Sequence, residues 1–154
     1  MNILLRISAV LIIALALAAG AQMKQARSNK DLIERGRYIV EDVAMCEQCH
    51  TQRNEEGVPD REHWLMGGPA QLRPSYNSPE WALVEPRLAG SPPGTDEQFI
   101  HLLTTGISRT GRPPRPPMPP FRMTRDDAEA VLAYLKSLPK YTCLPPVDTL
   151  VRFA

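Results

Sequence analysis

The sequence predicts an all-α fold over residues 31–140, with helices separated by long proline-rich loops, and three observations carry that reading. Two helix starts are marked by capping residues, Thr95-Asp96-Glu97-Gln98 and Thr124-Arg125-Asp126-Asp127. No segment alternates apolar and polar residues as a half-buried strand would. The 154 residues include 16 prolines, yet only 6% are aromatic. Such a chain has little bulky material for a core of its own, a shortage that a large apolar cofactor would offset.

Taken in order, residues 1–21 read as an export signal. Arg6 supplies the positive charge, Ile7 to Ala19 is almost wholly apolar, and Ala19-Gly20-Ala21 has the small-x-small pattern of a cleavage site. Cleavage there would start the mature chain at Gln22 and release it to the periplasm. A leader left uncut would anchor it to the membrane, although the apolar run is shorter than the ~20 residues a spanning helix needs. Arg6 is the only charge in the leader, so the remainder holds 17 basic and 17 acidic residues. That balance argues against nucleic-acid binding and against a polybasic membrane patch.

Residues 22–30 are polar and read as a linker. Ser28 or Asn29 could cap a first helix from about Asp31 to Ala44, with Leu32, Ile33, Tyr38, Ile39 and Val43 on its apolar face. From Thr51 to Gly94 no periodicity stands out, and seven prolines mark turns. So long a coil in a compact domain asks for an organiser, and wrapping a cofactor would be one. A short helix should run from Asp96 to about Thr104 and end at Gly106. In Pro113 to Pro120, six of eight residues are proline, which predicts extended backbone. The last helix follows Thr124, with Ala128, Val131, Leu132 and Leu135 on one face and Pro139 as its stop. Residues 141–154 form a tail without pattern. No internal repeat is present.

Cys46-Glu47-Gln48-Cys49-His50 carries the chemistry. C-x-x-C-H is the spacing of covalent haem attachment. Two thiols three residues apart meet the two vinyl groups on one porphyrin edge, and the next residue projects an imidazole under the iron. Other readings of the cysteines fare worse. A thioredoxin-like pair needs a βαβ context, and no strands are evident. A zinc site needs further close ligands, whereas His63, His101 and Cys143 are scattered. A Cys46–Cys49 disulfide leaves His50 without a role. The expected cofactor is one haem c on Cys46 and Cys49, with His50 as axial ligand. Cys143 is then unpaired, either a buried small hydrophobe or an intermolecular link.

The opposite axial position has five candidates: Met66, Met118, Met123, His63 and His101. Met118 stands in Pro116-Pro117-Met118-Pro119-Pro120. A thioether binds iron weakly, so its position must be set beforehand, and flanking prolines cut the entropy lost on ligation. Met66 and Met123 read as core filling. His63 and His101 read as satisfied or exposed. Met/His ligation raises the potential, as suits an electron carrier.

With these residues in place the chain resembles class I c-type cytochromes. Gly36-Arg37-Tyr38-Ile39-Val40 looks like the family's first helix and Ala133-Tyr134-Leu135-Lys136 like its last. Gly94 to Phe99, Thr105-Gly106, Gly111 and Met118-Pro119-Pro120-Phe121 are similar to the cytochrome domains accompanying membrane-bound alcohol and aldehyde dehydrogenases. The likeness covers about Asp31 to Pro139 and is thin between Arg53 and Pro93. Many of those subunits carry three haem sites, and this chain has one attachment motif.

The resemblance implies a small cytochrome c fold, its first and last helices crossing around the haem and the Tyr38 region packed on Val131 and Tyr134. It implies a proline carbonyl that orients the haem histidine, for which Pro69 is the candidate and Pro74 the alternative. It implies a one-electron carrier or carrier subunit without enzymatic activity. Redox proteins, such as a dehydrogenase or a terminal oxidase, would be its partners. A peroxidase or a haem-based ligand binder would instead leave the iron position open. Arg109, Arg112, Arg115, Arg122 and Arg125 surround Met118 in sequence. One or two, Arg112 among them, could meet haem propionates, and the rest could steer an acidic partner.

Overall fold

The computed structural model describes residues 28–140. The predicted leader, most of the linker and the tail with Cys143 lie outside them. Within them the protein is mostly helical, with one small two-stranded sheet.

Helix α1 covers residues 28–38 and continues through Ile39–Val43 as a single π-helical turn, which the Ala44 N–H closes on the Ile39 carbonyl at 2.7 Å. Residues 28–30 are already helical, so Ser28 and Asn29 stand inside the helix rather than capping it. Its buried face is Gly36, Ile39 and Val40, with Ile33 packed against the core. Tyr38 and Val43, expected on that face, are about half exposed, at 49% and 55%. The i, i+3, i+7 face was carried by a glycine, which an apolar count overlooks.

That glycine sets the contact between α1 and the last helix, α4 (Arg125–Ser137). A Cβ at Gly36 would lie 1.9 Å from the Ala130 carbonyl oxygen and 2.8 Å from Tyr134 Cβ. Backbone therefore meets backbone at Gly36, and Tyr38 is not the packing residue. The Tyr134 hydroxyl donates to Glu41, and Arg35 pairs with Asp127 at 2.9 Å.

Two further helices are short. Helix α2 (Glu47–His50) holds the C-x-x-C-H motif. It is separated from α1 by Met45, whose φ of 47° breaks the helical path. Helix α3 (Asp96–Thr105) opens with the expected capping box: the Thr95 side chain accepts from the Gln98 N–H and the Gln98 side chain accepts from the Thr95 N–H. It ends at Gly106 with φ 65°, and α4 opens on the Thr124 side chain.

The middle segment contains strands where none were expected. Strand β1 (Gly68–Pro69) pairs antiparallel with β2 (Val84–Glu85), in the register Gly68 with Glu85 and Pro69 with Val84. Two-residue strands leave no alternation to read. The segment is otherwise held by backbone bonds to the fixed core. The Leu65 carbonyl accepts from the Leu88 and Ala89 N–H groups, and the Leu135 carbonyl from Gly90. Leu65 is fully buried and joins Val40, Phe99, Leu103, Val131 and Leu135 in one hydrophobic core. Ala128, Val131, Leu132 and Leu135, expected on the apolar face of α4, are all buried. No helix among the described residues is long and apolar enough to cross a membrane.

Candidate haem site

The site is built on α2. Its hydrogen bonds follow the motif, with the His50 N–H bonded to the Cys46 carbonyl at 2.9 Å. Cys46, Cys49 and His50 thus sit on one tight turn, and all three line a single cavity of about 280 Å³. The rest of the wall is almost wholly apolar, with Leu88 and Phe99 behind and Val131 and Leu135 of α4 closing it.

His50 is buried, and its Nδ1 stands 2.7 Å from the Pro86 carbonyl oxygen. A carbonyl can only accept, so Nδ1 carries the hydrogen and the lone pair is on Nε2. Burial lowers the imidazole pKa, an effect the Pro86 bond opposes. The outcome is a neutral, oriented ring with one nitrogen free to bind a metal. The orienting carbonyl is therefore not that of Pro69, which is exposed and accepts from the Gln52 side chain at 3.1 Å. Nor is it that of Pro74, which does not line the cavity. The correction is a step across the ladder: Pro69 is in β1, and Pro86 directly follows β2. The Gly67 N–H, next to β1, bonds the His50 carbonyl at 2.8 Å. Pro86 carried no local mark in the sequence, because its role comes from strand pairing.

The two thiols are not set up as reactive thiolates. Burial, then the nearby Glu47 carboxylate, pushes Cys46 up to about 12. Burial and then Glu85 push Cys49 upward as well. Redox-active and metal-binding C-x-x-C pairs need the opposite shift. Among the described residues no group of three or more His, Cys, Asp or Glu could hold a bare metal ion. Thiols beside an apolar cavity, with a neutral imidazole next to them, fit a porphyrin instead.

Met118 lines the same cavity. The segment around it is not uniformly extended, as its prolines predicted. The chain turns at Pro116–Pro117, whose peptide bond is cis, and the Met118 N–H bonds the Arg115 carbonyl at 3.2 Å. The turn is tied down from outside, because the Pro116 carbonyl accepts from the Ala82 N–H at 2.7 Å and Arg115 donates to the Pro79 carbonyl at 3.1 Å.

Of the four competing ligands, Met66, His63 and His101 do not line the cavity, and Met123 does. His63 is exposed and paired with Asp60 at 2.7 Å, and His101 is exposed on α3. Met66 packs against the core, as does Met123, which also reaches the cavity wall. The arginines divide. Arg115 lines the cavity and Arg112 does not. Arg125 is engaged by Glu97 at 2.6 Å and Glu129 at 2.7 Å. Sequence reading missed Glu85, a buried carboxylate in the cavity wall.

Comparison with known proteins agrees with this geometry. The family model described as cytochrome c matches residues 33–139. A "Diheme cytochrome c-type" protein of Cereibacter sphaeroides is 32% identical over 114 residues, which cover 69% of this chain and 35% of that protein. A "Fructose dehydrogenase cytochrome subunit" of Gluconobacter japonicus is 26% identical over 117 residues, 73% of this chain and 23% of the relative. The chain thus spans about a third and a quarter of the lengths of these curated relatives. Motif, cavity and family match converge: the chain belongs to the cytochrome c family.

Proposed function

We propose that this chain binds one haem c through thioethers at Cys46 and Cys49, with His50 Nε2 and Met118 Sδ as axial ligands. It serves as a one-electron carrier, or as the electron-transfer subunit of a larger redox assembly, on the exported side of the membrane. The observation that carries the reading is the His50–Pro86 bond inside a cavity shared by both cysteines and Met118. When bound, the haem supplies reversible one-electron exchange at its iron. The protein's own residues do the rest. Pro86 holds the His50 tautomer, the turn at Pro116–Pro117 presents the Met118 thioether, and Leu88, Phe99, Val131 and Leu135 keep water out. In this reading α1 and α4 pack crosswise at Gly36, bracing the wall that Val131 and Leu135 supply.

With both axial positions held by side chains, no substrate reaches the iron, and no enzymatic activity of the chain's own is expected. A relative named as a fructose dehydrogenase cytochrome subunit supports a dehydrogenase as electron donor. A terminal oxidase is an acceptor of matching chemistry.

The test is the intact mass of protein from an export-competent host, with carbon monoxide binding to its reduced form. One covalent haem, loss of the first 21 residues and slow or absent carbon monoxide binding are expected. Protein that folds without a porphyrin adduct, or that binds carbon monoxide rapidly, overturns the reading.

A further inference from the structure

Among the described residues, Glu85 is the one acid lining the cavity, where Arg115 is the one basic residue beside the neutral His50. It is only 4% exposed, and its Oε2 has no hydrogen-bond partner. Its Oε1 accepts weakly from the Gln71 N–H at 3.4 Å. The structural ladder does not need this acid, because β2 pairs with β1 through backbone alone. A buried, half-satisfied carboxylate is costly, and one facing a redox cavity asks for a function.

The geometry points to Glu85 as a redox-linked proton site: it takes up a proton from water when the haem iron gains an electron and releases it when the electron leaves. The inference rests on the proposed haem binding. The coupling is electrostatic. Reduction removes one positive charge from the iron, and a carboxylate buried in the same apolar cavity loses the charge that favoured its ionised form. One electron arrives from the donor and up to one proton from solvent, so the net charge of the cavity changes less than the electron alone would change it.

The surroundings leave Glu85 free to respond. Burial already pushes its carboxyl above the ordinary range, opposed by Gln71. Its field reaches Cys49, whose thiol also feels Arg53 and Glu47. On the attachment side the titratable group facing it is Cys49, and Arg53 and Glu47 act on that thiol rather than on Glu85 directly. Across the ladder stands Gly68, and Arg115 lies on the Met118 side of the cavity. His50 is bonded to Pro86, and Arg87, two residues along from Glu85, is itself engaged. Glu47 is a second buried carboxylate with an orphaned Oε2, but it is bonded to Gln48 at 3.0 Å and does not line the cavity.

The experiment is a midpoint-potential titration of the haem-loaded protein against pH, for the native chain, Glu85→Gln and Glu47→Gln. Proton uptake on reduction in weakly buffered solution is followed with an indicator dye. The native potential should fall as pH rises, with up to one proton taken up per electron. Glu85→Gln should abolish both effects and hold the potential near the native low-pH value, and Glu47→Gln should keep the slope. A native potential that does not vary with pH, or a slope that survives in Glu85→Gln, overturns the inference. Should Glu85→Gln fail to accumulate, Glu85→Asp must keep a slope displaced in pH. These outcomes leave haem binding itself intact, since mass and carbon monoxide binding test that separately.

Discussion

The His50 imidazole and the Pro86 carbonyl are joined across 2.7 Å, although 36 residues separate them. Gly67 closes the arrangement from the other side: it bonds the His50 carbonyl, and a Cβ on it would stand 2.2 Å from the Glu85 carbonyl oxygen at a φ of +69°. The acceptor is backbone, so Pro86→Ala should keep the bond and lose only rigidity, about 0.4–1 kcal/mol of stability. Gly67→Ala meets both strain and a collision with backbone and should cost more, roughly 1–3 kcal/mol. Denaturant midpoints of the two haem-loaded variants test the order. Equal losses would mean the ladder does not position His50.

Met118→Ala should leave the haem attached, since the thioethers are elsewhere, while the potential drops and the reduced protein begins to bind carbon monoxide. Both follow from removing a thioether that favours the ferrous iron. Spectra and potential unchanged from the native protein would place the ligand elsewhere. Met123, the other methionine both near in sequence and on the cavity wall, would then be the first to replace.

These two variants also show what the chain disclosed before folding. C-x-x-C-H and a methionine set among prolines are local signals, because their chemistry depends on spacing along the backbone. The caps of α3 and α4 are local in the same way. Pro86 and Glu85 are not. They acquire roles by lying opposite Gly67 and Gly68 in a ladder too short to have a period. Gly36 was quoted as part of a helix, but its role as the contact with α4 depends on a partner about a hundred residues away.

At Gly36 the consequence is steric. Any side chain must displace the Ala130 carbonyl, which belongs to helix backbone and cannot swing aside as a flexible side chain would. Gly36→Ala should therefore destabilise the protein by about 1–3 kcal/mol, despite alanine's better helix propensity. A measured gain in stability would mean that α1 does not rest on α4 at this point.

The exposed arginines are not equivalent in recruiting a partner. Arg125 is held by two glutamates, whereas Arg115 stands at the cavity. If an acidic redox partner is steered to this side, its association rate should fall as salt rises. Arg115→Gln or Arg112→Gln should lower the rate at low salt and flatten that dependence. Arg125→Gln should change neither. Stopped-flow electron transfer with an acidic redox protein gives the comparison, and an effect confined to Arg125 would move the docking side away from Met118.

Stability should carry its own record of Glu85. Burial holds its carboxyl above the ordinary value of 4.5 in the folded protein, while the unfolded chain restores that value. The folded state then binds this proton more tightly than the unfolded state does. The contribution is fully present below the unfolded value and is lost as pH rises through the higher, folded one. Glu85→Gln has no charge to bury and escapes that loss. Relative to the native protein the variant should gain stability as pH rises above 4.5, then hold a constant advantage once the folded carboxyl is fully ionised. Denaturant midpoints of both haem-loaded proteins across that range give the test. A difference that stays the same at every pH would mean that Glu85 is ionised as easily in the cavity wall as in water.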